Sequence, residues 1–151
     1  MQLKFPEYDF KISDFDGKSY IFDIIRKKNV VLSPEEWVRQ HIVKFLIENN
    51  YPPSLISVER QIKFNQLKKR FDILVYDNQA KPLMLIECKA PAVKLSQETL
   101  NQIALYNNQF KVDYLFISNG LTHLICRFDK ELNKYFPLKN FPNWNSLKLN
   151  T

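Results

Sequence analysis

Three residues near the middle of the chain have the types and spacing of a hydrolytic centre: Asp72, then Glu87 and Lys89 in a Glu-x-Lys. Asp72 lies in the apolar run Phe71-Asp72-Ile73-Leu74-Val75, where a carboxylate is desolvated unless it is paired or holds a cation. Leu83-Met84-Leu85-Ile86 reads as a buried strand that ends in Glu87-Cys88-Lys89. Side chains alternate along a strand, so Glu87 and Lys89 share a face and Cys88 points away. If the two strands are neighbours, two carboxylates and an ammonium meet around one small volume. That set suits a divalent metal and a water.

The elements that must position these groups are legible on either side. Ser33-Pro34-Glu35-Glu36 opens a first helix, with Ser33 as N-cap, Pro34 at the first helical position and Glu36 completing a capping box. Val38, Ile42, Phe45 and Leu46 form its apolar stripe, and it runs out near Asn49-Asn50. Glu35 precedes Val38 by three residues and so projects with the stripe, whereas Glu36 has a local capping task. Residues 55–64 alternate as a strand, with Asn65 to Lys69 expected as the turn into the Asp72 strand. The basic run Lys68-Lys69-Arg70 in that turn could hold backbone phosphate, although such a cluster is commonly just solvated.

After Ala90-Pro91, Ser96 introduces a second helix to about Phe110, with Leu100, Ile103 and Ala104 inward. Gln102 and Tyr106 stand one turn apart on one face, where an amide and a phenol can reach a lysine, a water or a phosphate oxygen. Tyr114-Leu115-Phe116-Ile117 reads as a buried strand, Asn119-Gly120 as a two-residue turn, and Leu121 to Phe128 as the returning strand. Upstream, strands are expected at Tyr8–Ile12, Tyr20–Ile25 and Val30–Leu32, with a turn at Asp16-Gly17; Asp14, Asp16 and Asp23 read as turn formers. The aromatic tail, with Tyr135, Phe136, Phe141 and Trp144, is expected to pack back on the domain.

Composition narrows the classes. A chain of 151 residues, 45% hydrophobic, supports one core, and a formal charge of +6 favours a polyanionic partner. The expectation is a single domain over residues 1–151: an N-terminal β extension to residue 32, a core at 33–128 and a tail at 129–151. With two glycines and no GxxxxGK[ST] or GxGxxG pattern, no nucleotide-binding loop is available, so any ATP-driven motor lies on another chain. His41, His123, Cys88 and Cys126 lack the paired spacing of a zinc site, and both histidines read as structural. No apolar run is long enough for a membrane helix, and MQLKFPEYDFK does not read as a signal peptide. A reduced, cytoplasmic protein is expected.

A helix carrying Glu35, a hairpin delivering Asp72, a strand ending in Glu87-x-Lys89 and a helix with Gln102-x-x-x-Tyr106 together resemble the PD-(D/E)XK nuclease superfamily. Within it, SPEEWVRQ, RFDILVY, LIECKAP and the later Gln-x-x-x-Tyr are similar to the N-terminal nuclease domain of type I restriction enzyme motor subunits, over roughly residues 30 to 128. Phe71 stands where the superfamily's name has proline.

The resemblance implies an α/β (α+β) restriction-endonuclease-like core, a mixed central sheet flanked by helices. It implies that Asp72 and Glu87 bind Mg2+, with Mn2+ as a substitute, helped by the Cys88 backbone carbonyl and completed by Glu35. Lys89 would activate the water and steady the phosphorane charge, with Gln102 and Tyr106 positioning Lys89 and the scissile phosphate. The function expected is a metal-dependent DNA endonuclease in restriction or defence, partnered by a separate translocase or restriction-modification subunit, and a homodimer is compatible. Two alternatives stand beside it: a non-catalytic nucleic-acid-binding or assembly module that keeps the fold, and an RNA or DNA-repair nuclease.

Overall fold

The computed structural model describes residues 2–64 and 66–147. Three short strands come first, β1 (Ile12–Phe15), β2 (Lys18–Asp23) and β3 (Lys28–Val31), in an antiparallel sheet of that order. Asp16 and Gly17 take φ of 51° and 78°, the pair of positive values a two-residue hairpin turn needs. The first strand begins only at Ile12, because the rings of Tyr8 and Phe10 are committed to α1 (Pro34–Glu48), 6.1 and 4.8 Å from the His41 ring. Strand β2 stops at Asp23, whose carboxylate accepts from the Ile25 and Arg26 amides at 2.7 and 2.9 Å and so turns the chain.

The second sheet has six strands in sequence order: β4 (Ile56–Phe64), β5 (Leu67–Tyr76), β6 (Pro82–Cys88), β7 (Tyr114–Ser118), β8 (His123–Asp129) and β9 (Lys134–Pro137). Only the β6–β7 pair is parallel, which requires a crossover. The helix α2 (Gln97–Asn107) supplies it, capped by Ser96 Oγ, which accepts from the Thr99 amide at 3.2 Å. The mixed α/β architecture is the one expected.

The sheet is covered on both faces. Ile73, Val75, Met84, Ile86 and Cys88 pack in one cluster with Val38, Ile42 and Leu46 of α1. Phe71, Leu74 and Leu85 pack in another with Leu100 of α2. Strict alternation would put Phe71 on the side of Ile73, yet Phe71 joins Leu74 instead. The alternation slips at Asp72. The ladder is interrupted at the same place with its register kept: Val58 pairs Ile73 and Arg60 pairs Phe71, and between them Glu59, at φ 53°, is left out of the pairing. Such an irregularity re-aims a side chain.

Three local expectations are corrected. Lys68 and Lys69 are not in a turn but within β5 together with Arg70, while Asn65, the expected start of that turn, lies outside the described residues. The β7–β8 connection is a four-residue loop, because Asn119 Oδ1 accepts from both the Leu121 and Thr122 amides, and only Gly120 takes positive φ. The segment after residue 128 contains a strand, β9, with the buried Tyr135 donating from its hydroxyl to Val112 O at 2.6 Å. The rest of that segment does pack back: Phe141 lies 5.0 Å from the Phe116 ring and Trp144 5.3 Å from Tyr51.

Candidate active site

Asp72 leaves the middle of β5 at the slip in alternation, and its Oδ2 accepts from the backbone N–H of Cys88 at 2.7 Å. Neighbouring strands β5 and β6 thus bring the first carboxylate to the end of the strand that carries the second. Burial is the main influence on Asp72 and pushes its pKa up to about 6, against the lowering effect of the Cys88 amide. Glu87 and Glu35 also raise it, and Arg39 opposes them. A carboxyl so placed is desolvated with a single donor, the condition under which a bound cation is most welcome.

Glu87, one residue before Cys88, is half-buried, and its Oε1 lies 2.9 Å from Lys69 Nζ. The Lys69 ammonium also donates to Asn107 Oδ1 at 3.2 Å. Three rings surround it: Tyr106, Phe71 and Phe110 have centroids 4.5, 4.9 and 5.6 Å away. Lys89 follows directly after β6, half-buried, with its N–H donating to Ser118 O at 2.9 Å. The structure therefore sets the Asp72 carboxylate on the backbone of Cys88, the residue between Glu87 and Lys89 in the chain.

Helix α1 begins as its sequence dictates, with Ser33 Oγ accepting from the Glu36 amide at 3.0 Å. The side chain of Glu36 does not complete a capping box. It is buried, accepting from Arg26 Nη2 at 3.0 Å and Gln40 Nε2 at 2.9 Å and lying 3.2 Å from Arg39 Nε. An ion pair in a dry setting outweighs a single reciprocal cap bond here. Glu35 is the residue that acts on Asp72, as its alignment with the stripe suggests. Among the described residues, however, no three His, Cys, Asp or Glu side chains converge closely enough to share a metal ion as they stand. Two carboxylates and the Cys88 carbonyl remain as oxygen donors, a set that fits Mg2+, which keeps several waters and takes one or two carboxylates.

Gln102 is exposed on α2, and Tyr106 is 52% exposed with its ring against Lys69. Lys68 and Arg70 are exposed, and Lys68 pairs directly opposite Lys63 across the β4–β5 ribbon. Like charges opposite one another are destabilising, so this ribbon carries a cationic edge beyond the end of β6.

Sequence reasoning passed over Arg39. It is buried, donates from Nη1 to the Asp72 carbonyl at 3.3 Å, and lies 3.3 Å from the Glu59 carboxylate. Arg26 completes the cluster with contacts to Asp23, Glu36 and Glu59. These charges tie the first sheet, α1 and the strained Glu59 to the backbone of Asp72. One signal was available: Arg39 stands four residues after Glu35, on the same helical face. Lys69 was grouped with its basic neighbours, and nothing local marks it as different.

Residues 34–142 match the family model described as the type I restriction enzyme R protein N terminus. The matched stretch opens with α1 and takes in Glu35, Arg39, Lys69, Asp72, Glu87, Lys89, Gln102 and Tyr106. No curated protein matches the chain.

Proposed function

The chain belongs to the family of type I restriction enzyme R protein N termini, and from that premise we propose that it is a metal-dependent endonuclease domain that hydrolyses DNA phosphodiesters. The observation that carries this reading is the Asp72 carboxylate held by the Cys88 amide at 2.7 Å, next in the chain to Glu87 and near enough to feel its charge. When bound between these carboxylates, a divalent ion such as Mg2+ or Mn2+ would supply a Lewis acid for the phosphate and an acidified water.

The chain's own groups do the remainder. Asp72 and Glu87 supply the negative oxygens, and the Cys88 carbonyl adds a neutral one. Lys89 places a cation where charge develops on the phosphoryl oxygens and orients the attacking water. Glu35 adds negative potential at Asp72, raising local cation occupancy. Gln102 and Tyr106, both exposed on α2, would meet the approaching phosphate. The edge formed by Lys63, Lys68 and Arg70 guides the DNA backbone toward the strand end.

A family of restriction enzymes gives the domain a restriction-related setting. A separate translocase or modification subunit would provide movement along DNA, and no helix among the described residues is long and apolar enough to cross a membrane. The direct test is a substrate panel of supercoiled plasmid, linear duplex, single strands and RNA, with Mg2+, Mn2+ or EDTA. Metal-dependent cutting of DNA is expected; binding without cutting under any ion overturns the enzymatic reading. One observation favours that second reading, a non-catalytic nucleic-acid-binding module: Glu87 already has a cation, Lys69, at 2.9 Å.

A further inference from the structure

Lys69 differs from the lysines and arginine around it. Lys68 and Arg70, its neighbours on β5, are exposed, whereas the Lys69 side chain is 15% exposed and meets a Glu87 carboxylate that is 13% exposed. Its position is fixed from several sides. Asn107, fully buried, accepts from the ammonium at 3.2 Å and is itself oriented by donating to Ile103 O at 2.9 Å. The faces of Tyr106, Phe71 and Phe110 close around the same charge. An ammonium is a strongly hydrated ion on a flexible stem. Holding one here, against the donor a metal would use, is a constructed arrangement.

We propose that Lys69 is an internal cation that competes with the divalent ion for Glu87, so that the metal site is closed until the ammonium is displaced. This inference rests on the metal-dependent reading above. Its logic is competition: with Oε1 accepting from Lys69 at 2.9 Å, the charge of Glu87 is neutralised and its two-oxygen face is closed to a metal. The pair also explains how two carboxylates at one strand end coexist before a metal arrives, since Lys69 neutralises one of them. The ammonium already lies 4.5 Å from the centroid of the half-exposed Tyr106 ring, so displacing it from Glu87 need not take it away from that ring. Lys69 is thus a positioning residue, acting through Glu87.

The test is Mn2+ binding by calorimetry in the absence of DNA, on wild type, Lys69→Met, Lys69→Arg, Lys68→Met and Asp72→Asn. Lys69→Met is expected to bind Mn2+ more tightly, on the order of tenfold, the scale on which groups bonded to metal ligands alter affinity. Lys69→Arg keeps a cation on Glu87 and should stay near wild type. Lys68→Met removes an equal charge from an exposed neighbour and should change little, which separates competition at Glu87 from a general loss of positive field. Should Lys69→Met not fold, the wild type still answers: the Lys69 ammonium resonance must move as Mg2+ is added. Equal Mn2+ affinity in wild type and Lys69→Met, or an ammonium resonance unmoved at metal saturation, overturns the competition while leaving the nuclease reading intact. If neither wild type nor Lys69→Met binds metal, both fall together; loss of binding only in Asp72→Asn locates the metal where both require it.

Discussion

The backbone N–H of Cys88 donates to Asp72 Oδ2 at 2.7 Å, and this one bond joins the middle of β5 to the end of β6 at the candidate centre. It only partly offsets the burial that pushes the Asp72 carboxyl up to about 6, above its ordinary value of 3.8. A carboxyl raised on folding contributes stability that is complete below its unfolded pKa and lost as pH rises through its folded one. In EDTA, therefore, wild-type stability should decline as pH rises through about 6, with Asp72 as a contributor. Asp72→Asn cannot ionise and should be the more stable protein at about pH 8, by no more than about 3 kcal/mol, with the gap closing near about pH 4. Thermal unfolding at the two pH values checks this, and added Mg2+ should stabilise wild type alone.

Arg39 is the group whose loss should cost the most structure. Its guanidinium is buried among Glu36, Glu59 and the Asp72 carbonyl. Arg39→Met leaves Glu36 and Glu59 to Arg26 and removes the donor at the Asp72 carbonyl, and should lower stability by about 1–3 kcal/mol, the usual cost of leaving buried polar groups short of a partner. Urea denaturation measures it. Arg39→Lys should recover only part of the loss, because one ammonium cannot span the three partners that a planar guanidinium reaches.

The β4–β5 ribbon should contribute affinity for DNA and nothing to folding. Lys63 and Lys68 oppose one another across the ribbon. Replacing both with alanine relieves a like-charge pair, so stability should hold or rise slightly. Binding to duplex DNA should weaken, and the slope of log affinity against log salt should fall by about 2, roughly one for each phosphate that the variant no longer neutralises. Anisotropy titrations across a salt series read this directly, and an unchanged slope would remove the ribbon from the DNA path.

Much of this arrangement is legible in the amino-acid sequence. Ser33 and Ser96 announce their helices through local bonds, and the composition of residues 71–75 and 83–86 identifies two buried strands that prove to be neighbours. What escapes depends on residues remote in sequence. Lys69 looks like the middle of a basic run until Glu87 and Asn107 are beside it. Glu36 looks like a capping residue until Arg26 and Arg39 claim its carboxylate. The break in alternation at Asp72 faces the gap in pairing at Glu59, a residue of the partner strand remote in sequence. The ninth strand is hidden because Tyr135 and Phe136 sit among tail aromatics, and their pairing with β8 is set by that strand's free edge.

Gly120 holds the N-terminal segment to the β7–β8 loop. It has φ of +87°, its carbonyl accepts from the Lys4 amide at 2.7 Å, and a Cβ there would stand 2.8 Å from Leu3 Cδ2. Gly120→Ala should destabilise by about 1–2 kcal/mol from the left-handed backbone alone, before any clash. Pairing it with Leu3→Ala should not restore the wild-type melting temperature, because relief of the clash leaves the φ penalty and opens a cavity.

Metal-dependent hydrolysis at Asp72, Glu87 and Lys89 is read most directly in cleavage of supercoiled plasmid by wild type beside Asp72→Asn, Glu87→Gln and Lys89→Ala, each shown to be folded, with Mg2+ and with EDTA. Nicking or linearisation by wild type in Mg2+ is expected, abolished by EDTA and reduced at least about a hundredfold in every variant, as when a metal ligand or a transition-state cation is removed. Cleavage that survives all three substitutions, or a wild type inert in every metal while still binding DNA, would contradict a nuclease centre built on these residues.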